Sequence, residues 1–422
     1  MLEMKVFREN SKAIFDDLKK RNIAEDNAKE VIHSDQKWRE LIDEGNKLRA
    51  QRNAISKEVG ELIKKGEDAS ELLQKMSDIK KRLTDNESNT KTSLELRERA
   101  RMKVPNILDK EVPIGVNEDG NQEISIRGPA KNEGETKSHQ EVMEAIEGAD
   151  LKRAANISGR RFYFLTGDLA RLELALINYA TEVLCERGYS LTIPPLMMNR
   201  EAYEGVVDLN DFEEVMYKVE DHDLYLIATS EHPLTSRFKD EIVEIKDEPL
   251  RYAGISTNFR KEVGAHGLSD RGIWRVHQFT KVEQVIICKP EESEELHQEL
   301  VDNAAMIFEG LEIPFRIVDI CTGDIGTVAA RKFDLEAWMP ASQQWKEVVS
   351  ASNCRTYQSV RLNMRYRTPE GTEYPHTLNA TAVATTRALA SILENNQQTD
   401  GSVVIPKILR KWMGNQELIK VR

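Results

Sequence analysis

The chain has 422 residues, 40% of them hydrophobic, and a formal net charge of −12, which is room for two or three domains with substantial cores. That balance excludes a protein that is basic overall and binds nucleic acid through its net field, though a local basic surface stays open. No run of about 18 apolar residues occurs, so no membrane-spanning helix is expected.

The charged, amphipathic start from Met1 to Phe15 does not read as a signal peptide. The four cysteines, Cys185, Cys288, Cys321 and Cys354, form no CxxC pair and support neither a zinc ribbon nor a disulfide framework. The expectation is a cytoplasmic protein with no membrane contact.

Between Glu25 and Lys103 there is no proline, few aromatics and dense charge. Leu41, Leu48, Ile55 and Leu62 recur every seven residues, with Trp38 and Val59 on flanking seam positions, which is a heptad pattern. The run KKGEDAS (64–70) reads as a turn, after which Leu72, Met76, Ile79 and Leu83 resume the seam. The spacing predicts an antiparallel coiled-coil hairpin over 1–103, thin in its core at Gly45 and Arg52. Its exposed cations, such as Arg49, Lys57, Lys64 and Lys65, suit phosphate contacts or a solvated helix face. The hairpin itself suits a dimerisation coil equally well.

Residues 104–150, rich in Gly, Asn and Glu, read as a linker with a small edge element, and 151–422 as a mixed domain. Helices are expected over 168–187 and 291–310, and a strand followed by a helix over 378–397. The strands arrive as hairpins rather than as βαβ units, so the fold class is α+β with a largely antiparallel sheet flanked by helices. Neither GxxxxGK[ST] nor GxGxxG occurs, so neither of those loops cradles a phosphate here.

Four stretches carry chemistry. In ATSE (228–231), Thr229 and Glu231 are two apart at the end of an apolar run; a hydroxyl beside a carboxylate suits an ammonium group, or Thr229 and Ser230 simply cap a helix. In the hairpin RYAGISTNFRKE…IWRVHQFTKVE, period-two reading puts Ala253, Ile255, Thr257 and Phe259, then Trp274, Val276, Thr280 and Val282, on a packed face. The other face carries Arg260, Glu262, Arg275, Phe279, Lys281 and Glu283.

Two arginines there can grip a phosphate or carboxylate, and Phe279 can stack a flat ring. The loop 263–272 would cover the ligand. In WKEVVSAS, Glu347 and Ser350 supply hard oxygens suited to Mg²⁺, but strict alternation puts them on opposite faces unless the strand is bulged. In TLNATAVATTRALASILEN, Asn379 and Thr381 share a face. Arg387 falls in the first turn of a helix, where a cation opposes the macrodipole unless an anion binds there.

Together these residues resemble the seryl-tRNA synthetase family of class II aminoacyl-tRNA synthetases, end to end. FRKE with RVHQFTKVE resembles class II motif 2, RALASILEN motif 3, and the helix from Asp168 leading to YSLTIPP motif 1, ending at Pro195; TSE resembles the family's TxE loop. The resemblance implies a six-stranded antiparallel sheet, a homodimer built through motif 1, and a helical arm that reaches the long variable arm of serine tRNA. Selenocysteine tRNA is a second candidate substrate.

The resemblance also implies the site roles. Arg260 would bridge the serine carboxylate and the ATP α-phosphate. Glu262 would meet the adenine amino group and Phe279 would stack the base. Arg275 and Arg387 would hold the β- and γ-phosphates, and Glu347 with Ser350 would hold Mg²⁺. Thr229 and Glu231 would take the serine ammonium, and Glu283 with Thr381 the hydroxyl, beside Asn379. Arg260, Glu283 and Arg387 are the catalytic candidates.

LNATA departs from many bacterial members, which have Gly and Ser where this chain has Ala380 and Thr381; the hydroxyl is kept. Threonyl- and prolyl-tRNA synthetases fit less well, since little chain follows motif 3 and no Cys/His/His zinc site is evident. The attacking serine carboxylate is already an anion, so the first step requires no general base and His277 reads as a structural partner.

Overall fold

A computed structural model describes residues 1–128, 136–207, 215–246, 248–262 and 272–422. The loop expected over 263–272 therefore lies outside the described residues, except for Gly272. Contacts divide the chain into two units, 1–107 and 108–422.

The first unit holds α1 (Met4–Glu9), α2 (Ser11–Lys20), α3 (Asp26–Lys65) and α4 (Ser70–Arg101). The expected turn is there: α3 ends on Gly66, whose φ of 74° is the left-handed cap that glycine adopts without strain. Leu48, Ile79 and Leu83 are buried between the two long helices, each contributing about 1.5–3 kcal/mol by leaving water. The seam is thin where expected. At Gly45 an added Cβ would lie 2.7 Å from Asn86 Oδ1, and the bare backbone there leaves room for Asn86, whose Nδ2 donates to Leu41 O at 3.0 Å. Arg52 points to solvent. Further along, Asp35 is held by Arg8 and Arg97, each at 2.8 Å, and Arg97 also lies over the Trp38 ring.

The second unit is built on an eight-stranded sheet. Its strands are β1 (Gln122–Arg127), β2 (Ser190–Thr192), β3 (Leu250–Phe259), β4 (Gln278–Cys288), β5 (Phe315–Asp319), β6 (Arg331–Met339), β7 (Gln344–Arg355) and β8 (His376–Ala384). The spatial order is β1-β5-β6-β7-β8-β4-β3-β2. The central six are antiparallel neighbours, as the resemblance implied; β1 adds an antiparallel edge and β2 a parallel one.

Residues 108–150 are thus part of this unit and not a linker. β1 pairs with β5, and Val142 and Met143 of α5 (His139–Ala145) are in the main core. That core also takes the apolar faces of α6 (Gly167–Glu186), α8 (Ser293–Gly310) and α9 (Thr385–Asn395).

The β3–β4 hairpin has the alternation read from sequence but not its wetting. Asn258 pairs with Phe279, Ser256 with Lys281 and Gly254 with Glu283, so these share one face. That face is buried: Lys281 is 5% and Glu283 2% exposed, whereas Ile255, Thr257 and Phe259 on the expected packed face are only half-buried. Trp274 and Val276 precede β4, so alternation does not govern them.

Candidate active site

One face of the sheet gathers the expected residues. Thr381 of β8 is directly opposite Glu283 of β4, and Asn379 is opposite Ser352 of β7. In β7 the ladder slips by one residue: Val349 pairs with Leu335, and Glu347 pairs with Glu336, which leaves Val348 without a partner. This is the bulge the sequence required, and it brings Glu347 and Ser350 to the same side. α9 follows β8 directly, and Arg387 in its first turn donates from Nη1 to Glu347 O at 2.9 Å and Glu347 Oε1 at 3.1 Å.

Thr229 and Glu231 are not on a strand. The short strand Tyr225–Leu226 ends before them, and Glu231 opens α7 (Glu231–Ser236). Thr229 Oγ1 accepts from Glu231 N at 3.2 Å, while Ser230 makes no side-chain cap and donates to Gly254 O.

These residues surround a cavity of about 310 Å³ lined by Arg260, Glu262, Arg275, Phe279, Glu283, Thr229, Glu231, Glu347, Ser350, Asn379, Thr381 and Arg387. Every residue to which the resemblance gave a site role is on that wall. Arg260 lies 5.3 Å over the Phe279 ring and donates from Nε to Ala228 O. Arg275 and Glu262 face each other at 4.0 Å. Glu262 has φ of 48°, and its carbonyl accepts from Arg161 at 2.6 Å. His277 is absent from the wall; its Nδ1 lies 2.8 Å from Arg260 O and 3.1 Å from Tyr217 OH, so it holds backbone.

Sequence reading gave no role to Lys281, Trp274 or Ser352, which also line the cavity. Lys281 Nζ is 2.5 Å from Glu283 Oε2, and both are buried. The two-residue spacing K-x-E on one strand was the available signal. Trp274 lies under two cations, Arg387 and Lys346.

The electrostatics are those of a dry, charged pocket. Burial foremost, then Glu283, pushes the Glu231 carboxyl up to about 7, against Gln358, Lys281 and Arg260, which favour its anion. Burial likewise raises Glu283 and lowers Lys281. Glu347 goes the other way: Arg387, then Lys332 and Arg260, outweigh burial and hold it below the usual range. A carboxylate kept ionised beside a hydroxyl suits Mg²⁺, which takes one or two protein oxygens and completes its shell with phosphates and water. Among the described residues no group of three or more His, Cys, Asp or Glu side chains could hold a metal, and a site of this kind asks for none.

Four cations, Arg260, Arg275, Arg387 and Lys281, with an aromatic ring and a hydroxyl–carboxylate pair, fit a polyphosphate, a flat base and a small amino acid.

The comparisons agree. Residues 216–396 match the tRNA synthetase class II core domain (G, H, P, S and T), and residues 1–108 the seryl-tRNA synthetase N-terminal domain. A serine–tRNA ligase from Methanospirillum hungatei is 50% identical over 428 residues, covering 99% of this chain and all of the relative. The seryl-tRNA synthetase of Pyrococcus horikoshii, solved in complex with ATP, superposes with a TM-score of 0.96 at 43% identity over the whole of both chains. The cytoplasmic enzyme of Naegleria fowleri, solved with AMP, gives 0.91 at 32% identity, covering all of this chain and 99% of the other. With the arm, the sheet and the cavity wall all in place, this chain belongs to the seryl-tRNA synthetase family.

Proposed function

We propose that this protein activates L-serine with ATP and transfers it to the 3′ end of serine tRNA. The observation that carries the proposal is the convergence of all twelve expected residues on one cavity. In the first step the serine carboxylate attacks the α-phosphorus of ATP, giving seryl-adenylate and pyrophosphate. Arg260 spans carboxylate and α-phosphate, and Arg275 and Arg387 hold the distal phosphates. Phe279 stacks the base and Glu262 accepts from its amino group.

Thr229 and Glu231 receive the ammonium. Glu283, whose anion Lys281 at 2.5 Å favours against burial, accepts from the serine hydroxyl with Thr381 opposite. Positioning and fixed charge carry the step, with no proton abstraction. Mg²⁺ held by Glu347 and Ser350 would supply further neutralisation of the phosphates when bound.

The helical unit is read as the tRNA arm, and the protein as a cytoplasmic homodimer. Leu174, Leu191 and Ile193, at 60%, 49% and 79% exposure, form apolar surface on α6, on β2 and just after it, the region resembling motif 1; exposed apolar surface of this kind suits a partner copy. No helix among the described residues is long and apolar enough to cross a membrane.

The test is charging of total tRNA with serine against threonine and alanine, alongside serine-dependent ATP–pyrophosphate exchange. Serine-only charging is expected; absence of both reactions would overturn the proposal. Hybridisation of the charged pool to selenocysteine tRNA would decide whether that species is a substrate.

A further inference from the structure

Trp274 and Arg275 line the cavity from outside any strand. The β3–β4 ladder ends at Gln278, so the pairing that fixes Phe279, Lys281 and Glu283 does not reach them. Two contacts that start from a single helix, α9, meet this segment. The first is direct: Arg387 lies 5.8 Å over the Trp274 ring.

The second runs through His139, the first residue of α5. Glu394 follows Arg387 by about two turns of α9 and so lies on the same side of the helix. Its Oε1 accepts from His139 N at 3.1 Å and lies 2.8 Å from His139 Nδ1. Its Oε2 accepts from Ala341 N at 3.2 Å, in the turn between β6 and β7. Both His139 and Glu394 are buried. The other edge of the imidazole bears on Gly272, where an added Cβ would lie 2.3 Å from Nε2 and 2.7 Å from Cδ2. Gly272 has φ of 74°, which glycine adopts without strain.

Stability alone would not choose this arrangement. The bond to a carboxylate oxygen assigns the proton to Nδ1, and Nε2 is buried with no hydrogen-bond partner, which is unfavourable. A phenyl ring would fill the space and leave no polar atom over. What histidine adds is the tie to α9, which fixes the ring against which Gly272 rests.

Resting on the reading of this cavity as the ATP and serine site, we propose that His139 is a positioning residue for ATP. Braced by Glu394, its ring sets the path of residues 272–275 and hence the place of Arg275 on the wall. One helix then places both arginines of the distal phosphates: Arg387 directly, and Arg275 through His139 and Gly272. Their separation is fixed by α9 rather than by the sheet. Thr229, Glu231, Glu283 and Thr381, which would receive serine, belong to other segments, so the brace acts on the nucleotide and not on the amino acid.

His139→Asn keeps a donor for Glu394 but removes the ring edge; His139→Phe keeps a ring but not the tie. In the full chain, each should weaken ATP binding in equilibrium dialysis and raise ATP KM in pyrophosphate exchange by about 10-fold, since a misplacement of about 1 Å can cost 10²-fold. Serine KM should stay within about twofold. Gly272→Ala should raise ATP KM as well, because its methyl meets the ring. In a His139→Ala background the same methyl enters vacated space and should raise ATP KM several-fold less. The strain of the left-handed φ is common to both backgrounds and cancels in the comparison.

ATP affinity unchanged in both His139 variants would overturn the proposal. So would ATP and serine constants rising together, or Gly272→Ala doing as much harm without the ring as with it. Should no His139 variant fold, Gly272→Ala decides alone, by whether ATP KM rises and serine KM does not. A parent without serine-dependent exchange would instead refute the serine reading, and ATP dialysis would still test the brace.

Discussion

Glu231→Gln should make the protein more stable and less able to activate serine, and the gain in stability should depend on pH. Burial and Glu283 raise the Glu231 carboxyl from 4.5 to about 7. That difference of 2.5 units, at about 1.36 kcal/mol each, puts the strain of the charged form at up to about 3 kcal/mol.

The sign follows from proton binding. Below pH 4.5 the group is neutral whether folded or not, so its contribution is intact. Between 4.5 and 7 the unfolded chain releases a proton that the folded chain keeps, and stability falls as pH rises through that window. Glutamine has no charge to bury and can still accept from Gln358 Nε2, which is 2.8 Å from Glu231 Oε1. In urea melts without ligand, the stability of the variant relative to the parent should therefore rise by about 2 kcal/mol from pH 5 to pH 8.

The same substitution removes the anion facing the serine ammonium, a charge-assisted hydrogen bond of about 1.5–3 kcal/mol, so serine KM should rise roughly 10- to 100-fold. In the parent, serine KM should fall as pH rises through 7. A stability gap that is flat with pH, or one that shrinks towards pH 8, would refute the reasoning.

Other outcomes test other parts of the site. Glu283→Ala leaves the hydroxyl-reading position empty; serine kcat/KM should drop by about 10³ or more while ATP KM stays within a few fold, and equal loss of both would refute the role. Arg387→Gln should reduce the rate of pyrophosphate exchange by roughly 10²–10³ through lost phosphate stabilisation. Chelation with EDTA should stop exchange and Mg²⁺ restore it, with Glu347→Gln raising the Mg²⁺ needed about tenfold.

In the arm, Lys64→Glu with Lys65→Glu should weaken tRNA charging and flatten its salt dependence while exchange is unaffected. Leu191→Asp with Ile193→Asp should yield monomers in sedimentation; an intact dimer would place the interface elsewhere.

What was legible in the sequence was what depends on neighbours in the chain. The heptad seam, the Gly66 turn and the β3–β4 alternation are all local periodicities, and the structure has them. The β7 bulge was legible indirectly: Glu347 and Ser350 could serve one ion only if the strand slipped, and it slips at Val348.

What depends on distant pairing was not legible. β1 joins the sheet through β5, nearly 200 residues away, so residues 104–150 read as a linker. The Lys281–Glu283 pair read as one face of a wet hairpin because burial of that face is imposed by β8, α7 and the cavity walls, none of them adjacent in sequence. Thr229 and Glu231 point into the cavity from a helix start rather than a strand end, since only Tyr225 and Leu226 form ladder bonds there.

Val348 makes parity a functional property of β7. A chain lacking that one residue could close an unbroken ladder against β6, and the sheet would be more regular for it. Yet Glu347 would then turn away from Ser350, and the pair of oxygens would be divided between two sides of the sheet. Val348 is itself buried in the main core, so such a deletion would also cost packing there. The error that this strand can least tolerate is therefore the loss or gain of a single codon rather than a change of side chain, and the vulnerability would be invisible to any scan made only of substitutions.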